Sequence, residues 1–159
     1  MNADTLLSRY AAGERNFYGV NLQGANLSEA DLREAIFLKA DLSGANLTRA
    51  NLRGAKLSEA NLTGATLWRA DLAQACLHKA ILDRAILIRA NLSAANLSAT
   101  RLVRADLRLA NLLGAKLAEA DLTATDLRYA DIESADLTGV DLSQTCLIGS
   151  AHFEDHMVS

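Results

Sequence analysis

The chain has 159 residues, a length suited to one domain, and half of them are apolar although only 4% are aromatic and none is proline. So few large rings exclude a core anchored on aromatic side chains and leave an interior of small and medium aliphatics. The formal charge of −3 is mild and argues neither for nor against a charged partner, while two cysteines are too few for a disulfide scaffold.

Residues 1–14 read as an N-terminal cap. Asp4 or Thr5 is expected to start a short helix, with Leu6, Leu7 and Tyr10 on one side and Gly13 at its end. The first residues carry neither the basic start nor the apolar run of a signal peptide. No apolar stretch approaches the roughly 18 residues of a membrane span. A cytoplasmic protein without membrane contact is the expectation.

From Arg15 to Gly149 the chain divides into 27 consecutive blocks of five, without insertion or deletion. The third residue of each block, its centre, is Leu in 24 blocks; the exceptions are Phe17, Phe37 and Ile132. Two residues earlier stands Ala in 21 blocks, and the residue between is Asn or Asp in 18. An α-helix turns about 100° per residue, so leucines five apart would scatter around it and bury no face. A straight strand fails because five is odd and side chains alternate, which would send successive leucines to opposite faces. A backbone that bends once per block keeps every Leu and Ala inside and turns the residue between them outward. Eight of the nine glycines occupy the last position of a block, where a corner with positive φ suits them. Corners ending in Arg, Glu or Lys, such as Arg49, Glu59 and Lys79, are expected to use another turn type. Proline would remove a ladder donor from coils paired on both sides, which accounts for its absence.

The run of Ala-(Asn/Asp)-Leu-x-x blocks, such as Ala25-Asn26-Leu27-Ser28-Glu29 and Ala40-Asp41-Leu42-Ser43-Gly44, resembles the pentapeptide-repeat family. That resemblance implies an all-β fold, a right-handed quadrilateral parallel β-helix with four blocks per coil, here with a short N-terminal helical cap. The opening segment Arg9 to Phe17 is similar to those of short cyanobacterial members. Charge register does not choose the number of sides: a spacing of 20 opposes Lys39, Glu59 and Lys79 well and sets Arg101 against Asp121, yet it stacks Arg49, Arg69 and Arg89 like on like. A spacing of 15 does no better or worse. With four sides, 27 blocks make between six and seven coils, roughly 32 Å tall at about 4.8 Å per coil. Residues 150–159 break the pattern. Phe153, Met157 and Val158 are expected either to cover the last coil or to leave it for an end-to-end homodimer, so monomer and dimer both stay open.

Catalytic groups do not stand out. Asp121, Asp126, Asp131, Asp136 and Asp141 share one repeat position, so paired carboxylates come from the repeat and carry no sign of acid–base work. His78 is expected to be solvated beside Lys79, and His152 and His156 fall in the irregular tail with Glu154 and Asp155 between them. Cys76 and Cys146 take outward slots on different sides and cannot bridge. The chain therefore reads as a non-enzyme with no cofactor and no metal.

Two surface features depart from the repeat. At a spacing of 20, Arg49, Arg69 and Arg89 form a column beside Trp68, Ile88, Arg108 and Arg128, with Ile86 on the same side. An exposed Trp among Arg and Ile has the composition of a protein-binding hot spot. These eight residues are the candidate site for an unidentified protein partner. The second feature is acidic: from Ala120 to Ser159 there are eight acidic residues and one basic, Arg128. Some members of the resembled family imitate the DNA duplex and bind gyrase, which gives the alternative of a DNA-mimicking inhibitor or protector of a type II topoisomerase. The leading expectation is a protein-binding or scaffold module with a regulatory role and no direct nucleic-acid contact.

Overall fold

The computed structural model describes residues 1–151. His152, Phe153, Glu154, Asp155, His156, Met157 and Val158 lie outside the described residues, and with them the expectations placed on the tail. Parallel bridges join each outward slot except Asp121 to the one twenty residues later, from Asn16 with Ile36 to Asp131 with Ala151. Four blocks therefore close one coil, and the chain winds as a four-sided repeat β-helix.

The block Ala60–Gly64 shows why five residues suffice for a side and a corner. The N–H of Ala60 donates back to Leu57 O across the preceding corner at 3.0 Å. Asn61 N–H reaches Ala40 O one coil above, at 2.9 Å, while Leu62 and Gly64 donate to Ile81 O and Asp83 O one coil below, at 2.7 and 2.9 Å. That leaves Thr63, whose N–H is taken by Asn61 Oδ1 at 3.0 Å. All five donors are satisfied within the protein, as a stacked backbone requires. The same Asx turn recurs at every one of the 18 Asn and Asp residues of this slot. Their side chains are there to accept the corner N–H two residues on. At Arg101, where the slot lacks an acceptor, Asp83 of the coil above accepts from Val103 N–H at 3.2 Å.

The corners correct one expectation. Arg49, Glu59 and Lys79 have φ of 57°, 58° and 59°, the same left-handed turn as Gly44 and Gly64 at 64° and 65°. One corner geometry serves nearly all blocks, because the interstrand bonds fix its conformation whatever residue stands there. The exception is Gln144. Asp121 lacks the bridge to Asp141 that the pattern demands, and Ala124 N–H bonds Gln144 O at 3.0 Å instead of Ser143 O. The ladder slips by one residue in the final coil, an irregularity that also blunts a sheet edge.

The interior is Leu and Ala, almost all at 0–1% exposure from Ala35 through Leu117. Thr100 and Thr125 replace Ala inside it; each Oγ1 donates to a carbonyl of the coil above, Leu77 O at 3.0 Å and Leu102 O at 2.7 Å, so no polar atom is stranded. At the top, helix α1 (Ala3–Ala11) begins ahead of the expected Asp4 or Thr5. Asn2, rather than Asp4 or Thr5, caps it by accepting from Thr5 N–H at 2.8 Å. Leu6 is fully buried, and Leu7 and Tyr10 pack partly buried on the core. Beneath them Phe17 and Phe37 stack with centroids 5.6 Å apart, and Tyr10 donates to Arg33 O at 3.0 Å. The cap is joined to the first coil by packing and hydrogen bonding together. Among the described residues, no helix is long and apolar enough to cross a membrane.

The bonds that the aspartates accept also set the response to acid. Asp31 and Asp126 are held below the ordinary aspartate value of 3.8 first by Arg33 and Arg128, Asp121 and Asp136 by the hydroxyls of Thr123 and Thr138, and Asp141 by the N–H of Ser143. These folded carboxylates hold protons less tightly than the unfolded chain does. Below the ordinary value the unfolded state therefore binds more protons, and stability falls as pH falls. The thermal midpoint should be steady from neutrality to about pH 5 and decline below about pH 4. Melting followed by circular dichroism across that range checks it, and an unchanged midpoint at about pH 2.5 would contradict it.

A candidate protein-docking ridge

A repeat with one conformation at every corner stacks corner residues into straight ridges. On one ridge the first corner position carries Thr48, Trp68, Ile88, Arg108, Arg128 and Ile148, and the second carries Arg49, Arg69, Arg89, Leu109, Tyr129 and Gly149. The eight candidate residues named from the sequence fall on this ridge, or in the case of Ile86 on the side leading into it.

Their environments differ. Arg49 reaches Glu29 in the coil above, at 3.2 Å. Trp68 and Ile88 are half-buried rather than exposed as expected: Arg69 lays its guanidinium over the Trp68 ring, 4.7 Å from the centroid, which covers one ring face. Arg108 and Arg128 fold back onto Asp106 and Asp126, two residues earlier, each with its shortest contact at 2.7 Å, and Arg108 also lies 3.8 Å from Asp126. These bidentate pairs raise both arginine pKa values and partner the two cations within their own blocks, although both side chains stay partly exposed. Arg89 is exposed and belongs to no ion pair among the described residues. Ile86 is 40% exposed.

Three residues of the ridge were missed in the sequence. Leu109, Tyr129 and Ile148 are 47%, 60% and 69% exposed, and they extend the apolar strip from Ile86 and Ile88 to the last coil. Ile88, Arg108, Leu109, Arg128 and Tyr129 line a shallow cavity of about 280 Å³. The Tyr129 ring lies over Gly149, where a Cβ would meet its Cε1 at 2.5 Å. The signal that would have found them is the spacing of 20, applied to the second corner position for Leu109 and Tyr129 and carried to the last coil along the first for Ile148.

Other sequence expectations are corrected here. Arg101 does stand in register with Asp121 and its charge helps hold that carboxyl low, but its salt bridge goes to Asp83, at 2.6 Å. His78 is half-buried rather than solvated, its Nδ1 2.9 Å from Ser98 Oγ. Lys39 does pair with Glu59, at 3.7 Å. Both cysteines are free, and Cys76 Sγ lies 3.2 Å from Ser58 Oγ.

A family profile described as pentapeptide repeats matches residues 16–54, 50–88, 85–123 and 115–150. Among solved structures, the chain is similar to HetL, a pentapeptide repeat protein involved in heterocyst differentiation regulation from the cyanobacterium Nostoc sp. strain PCC 7120. The two share 30% identity over 94% of this chain and 92% of HetL, with a TM-score of 0.50. It is also similar to the pentapeptide repeat protein Rfr23 from the cyanobacterium Cyanothece 51142, at 27% identity over 91% of this chain and 99% of that one, TM-score 0.59. QnrB1, a plasmid-mediated fluoroquinolone resistance protein, matches at 19% identity over 92% of this chain and 86% of its own, TM-score 0.44, too remote to bear on function. A comparison with curated protein sequences finds no significant match.

Proposed function

Because the chain belongs to the pentapeptide-repeat family, we propose that it is a non-catalytic protein-binding module with a regulatory role, docking through the ridge that runs from Trp68 to Ile148. One observation carries this reading. Ile86, Leu109, Tyr129 and Ile148, at 40–69% exposure, gather on one ridge and its adjoining side, although the repeat can place small polar residues there at no cost to the core. A contiguous exposed apolar strip with aromatic and Arg members is the composition of an interface centre. The fold supplies a rigid support, since each coil is hydrogen-bonded above and below. The likeness to HetL supports a regulatory setting for such a module.

The test is capture from a lysate of the source organism by the parent and by a Trp68→Ala, Tyr129→Ala, Ile148→Ser variant, with Tyr18→Ala on another ridge as control. All three proteins should give the same circular dichroism spectrum. The triple variant should lose a specifically captured protein by at least roughly tenfold, as for removal of hot-spot residues. Equal capture by parent and variant would end the assignment. The acidic last coils are the feature that would serve the DNA-mimic alternative, and inhibition or protection of gyrase supercoiling at micromolar protein would favour it.

A further inference from the structure

The side leading into the ridge, formed by blocks 65–69, 85–89 and 105–109, has an arginine pair at each of its two corners. Arg84 and Arg104 succeed one another on the corner before it, and Arg69 and Arg89 on the corner after it. All four are exposed, and none belongs to an ion pair among the described residues. Between the corners stands Ile86, 40% exposed in a slot that holds Asn or Asp in 18 of the 27 blocks.

Cations in register one coil apart, about 4.8 Å, repel one another. Elsewhere the protein relieves such contacts: Glu59 faces Lys39, Glu29 faces Arg49, and Asp106 and Asp126 hold Arg108 and Arg128. Around Ile86 the carboxylates are already engaged. Asp83 accepts from Arg101 through Oδ2 at 2.6 Å and from Val103 N–H through Oδ1 at 3.2 Å. Asp71 accepts from Asn91 Nδ2 at 3.1 Å, and Asp106 is clamped by Arg108. Residues 60–115 carry seven basic side chains against three acidic ones, so no spare negative charge is at hand. At the Arg84–Arg104 corner a cavity of about 430 Å³ opens among Asp83, Arg84, Arg101, Arg104, Ala124 and Gln144, with Asp83 already held by Arg101. Small Ala124 and the slipped block at Gln144 leave that space below the arginines unfilled.

We propose that this side binds an acidic protein segment bearing an apolar residue between its carboxylates. The apolar residue would rest on Ile86, and carboxylates would meet the arginine pairs on either hand, where the planar guanidinium fork suits bidentate contact. The inference rests on the docking reading above and adds the chemistry of the partner. An isolated apolar contact at the centre, with only four unpaired guanidinia around it, favours a peptide over a nucleic acid, whose binding needs many unopposed cations.

Trp68 is the only tryptophan and lies beneath Arg69 at the edge of this side, so its emission reports occupancy. The probes are four: a synthetic peptide of four Glu-Glu-Leu units, its Gln-Gln-Leu and Glu-Glu-Ser counterparts, and a single-stranded oligonucleotide of about twelve bases. The Glu-Glu-Leu peptide should change Trp68 emission saturably, and the other two peptides should bind at least about tenfold more weakly. Binding should weaken as salt is raised. Arg84→Glu with Arg104→Glu should lose at least about tenfold in affinity, while Arg53→Glu, on another side, should match the parent. No response to the Glu-Glu-Leu peptide, equal binding by the double variant, or tighter binding of the oligonucleotide would each overturn the proposal. Should the double variant still capture the partner that the Trp68, Tyr129 and Ile148 variant loses, the docking ridge stands and only its acidic partner is wrong.

Discussion

Leu87→Ala is expected to destabilise the protein by about 2–5 kcal/mol, the range for removing a fully buried leucine and leaving a cavity. Leu87 is 1% exposed and lies in a middle coil, packed inside the main chain that carries Ile86 and Ile88. The backbone around it is hydrogen-bonded to the coils on both sides, Leu87 N–H to Asp106 O at 2.7 Å and Ile86 N–H to Ala65 O at 2.9 Å. The walls therefore cannot collapse to fill the void, which puts the cost toward the upper part of the range. In a stack where each coil touches only its neighbours, position along the axis matters. Leu147 is half-buried in the incomplete last coil, and Leu147→Ala should cost less than half as much. Urea unfolding of both variants checks the pair; equal losses would mean the column is not the quasi-one-dimensional stack described here.

Lys79→Pro should cost more than about 3 kcal/mol, and Lys79→Gly should stay within about 1 kcal/mol of the parent. Lys79 has φ of 59°, and its N–H donates to Ser98 O at 3.1 Å. Proline removes that donor and fixes φ near −65°, on the wrong side of zero for this corner. Glycine takes the left-handed conformation without strain but loses more freedom on folding, so its two effects oppose each other. A neutral proline variant would show that the corner is not held as described. The contrast also explains the chain's composition. Eighteen corners tolerate a side chain at positive φ, yet the whole chain contains no proline.

Much of the site was legible because some residues violate a strict repeat. Trp68, Ile86 and Ile88 stand where small or polar residues belong, and the structure finds them on one ridge and its side. Leu109 and Tyr129 escaped notice because the second corner position varies among Gly, Glu, Lys, Arg, Gln, Ala and Ser, so a single Leu or a single Tyr there does not show as a cluster. They join the site only when the coil length brings them into one line. The arginines misled in the opposite way. Counted as a column they suggest a positive stripe, but Arg108 and Arg128 are neutralised by aspartates of their own blocks, and Arg49 by Glu29.

The amino-acid order alone dictated a coil: leucines five apart can share an interior only if the chain bends in every block, and no other regular backbone allows it. It did not dictate how many sides the coil has. The bonds that set four sides run between main-chain groups twenty residues apart, and those groups are the same for every residue, so side-chain identity carries little record of them. Charged side chains, the one register mark available, often fold back to a partner two residues away. Corner conformation was decided by the same ladder, which holds Glu, Lys and Arg in a turn that their own preference would not choose.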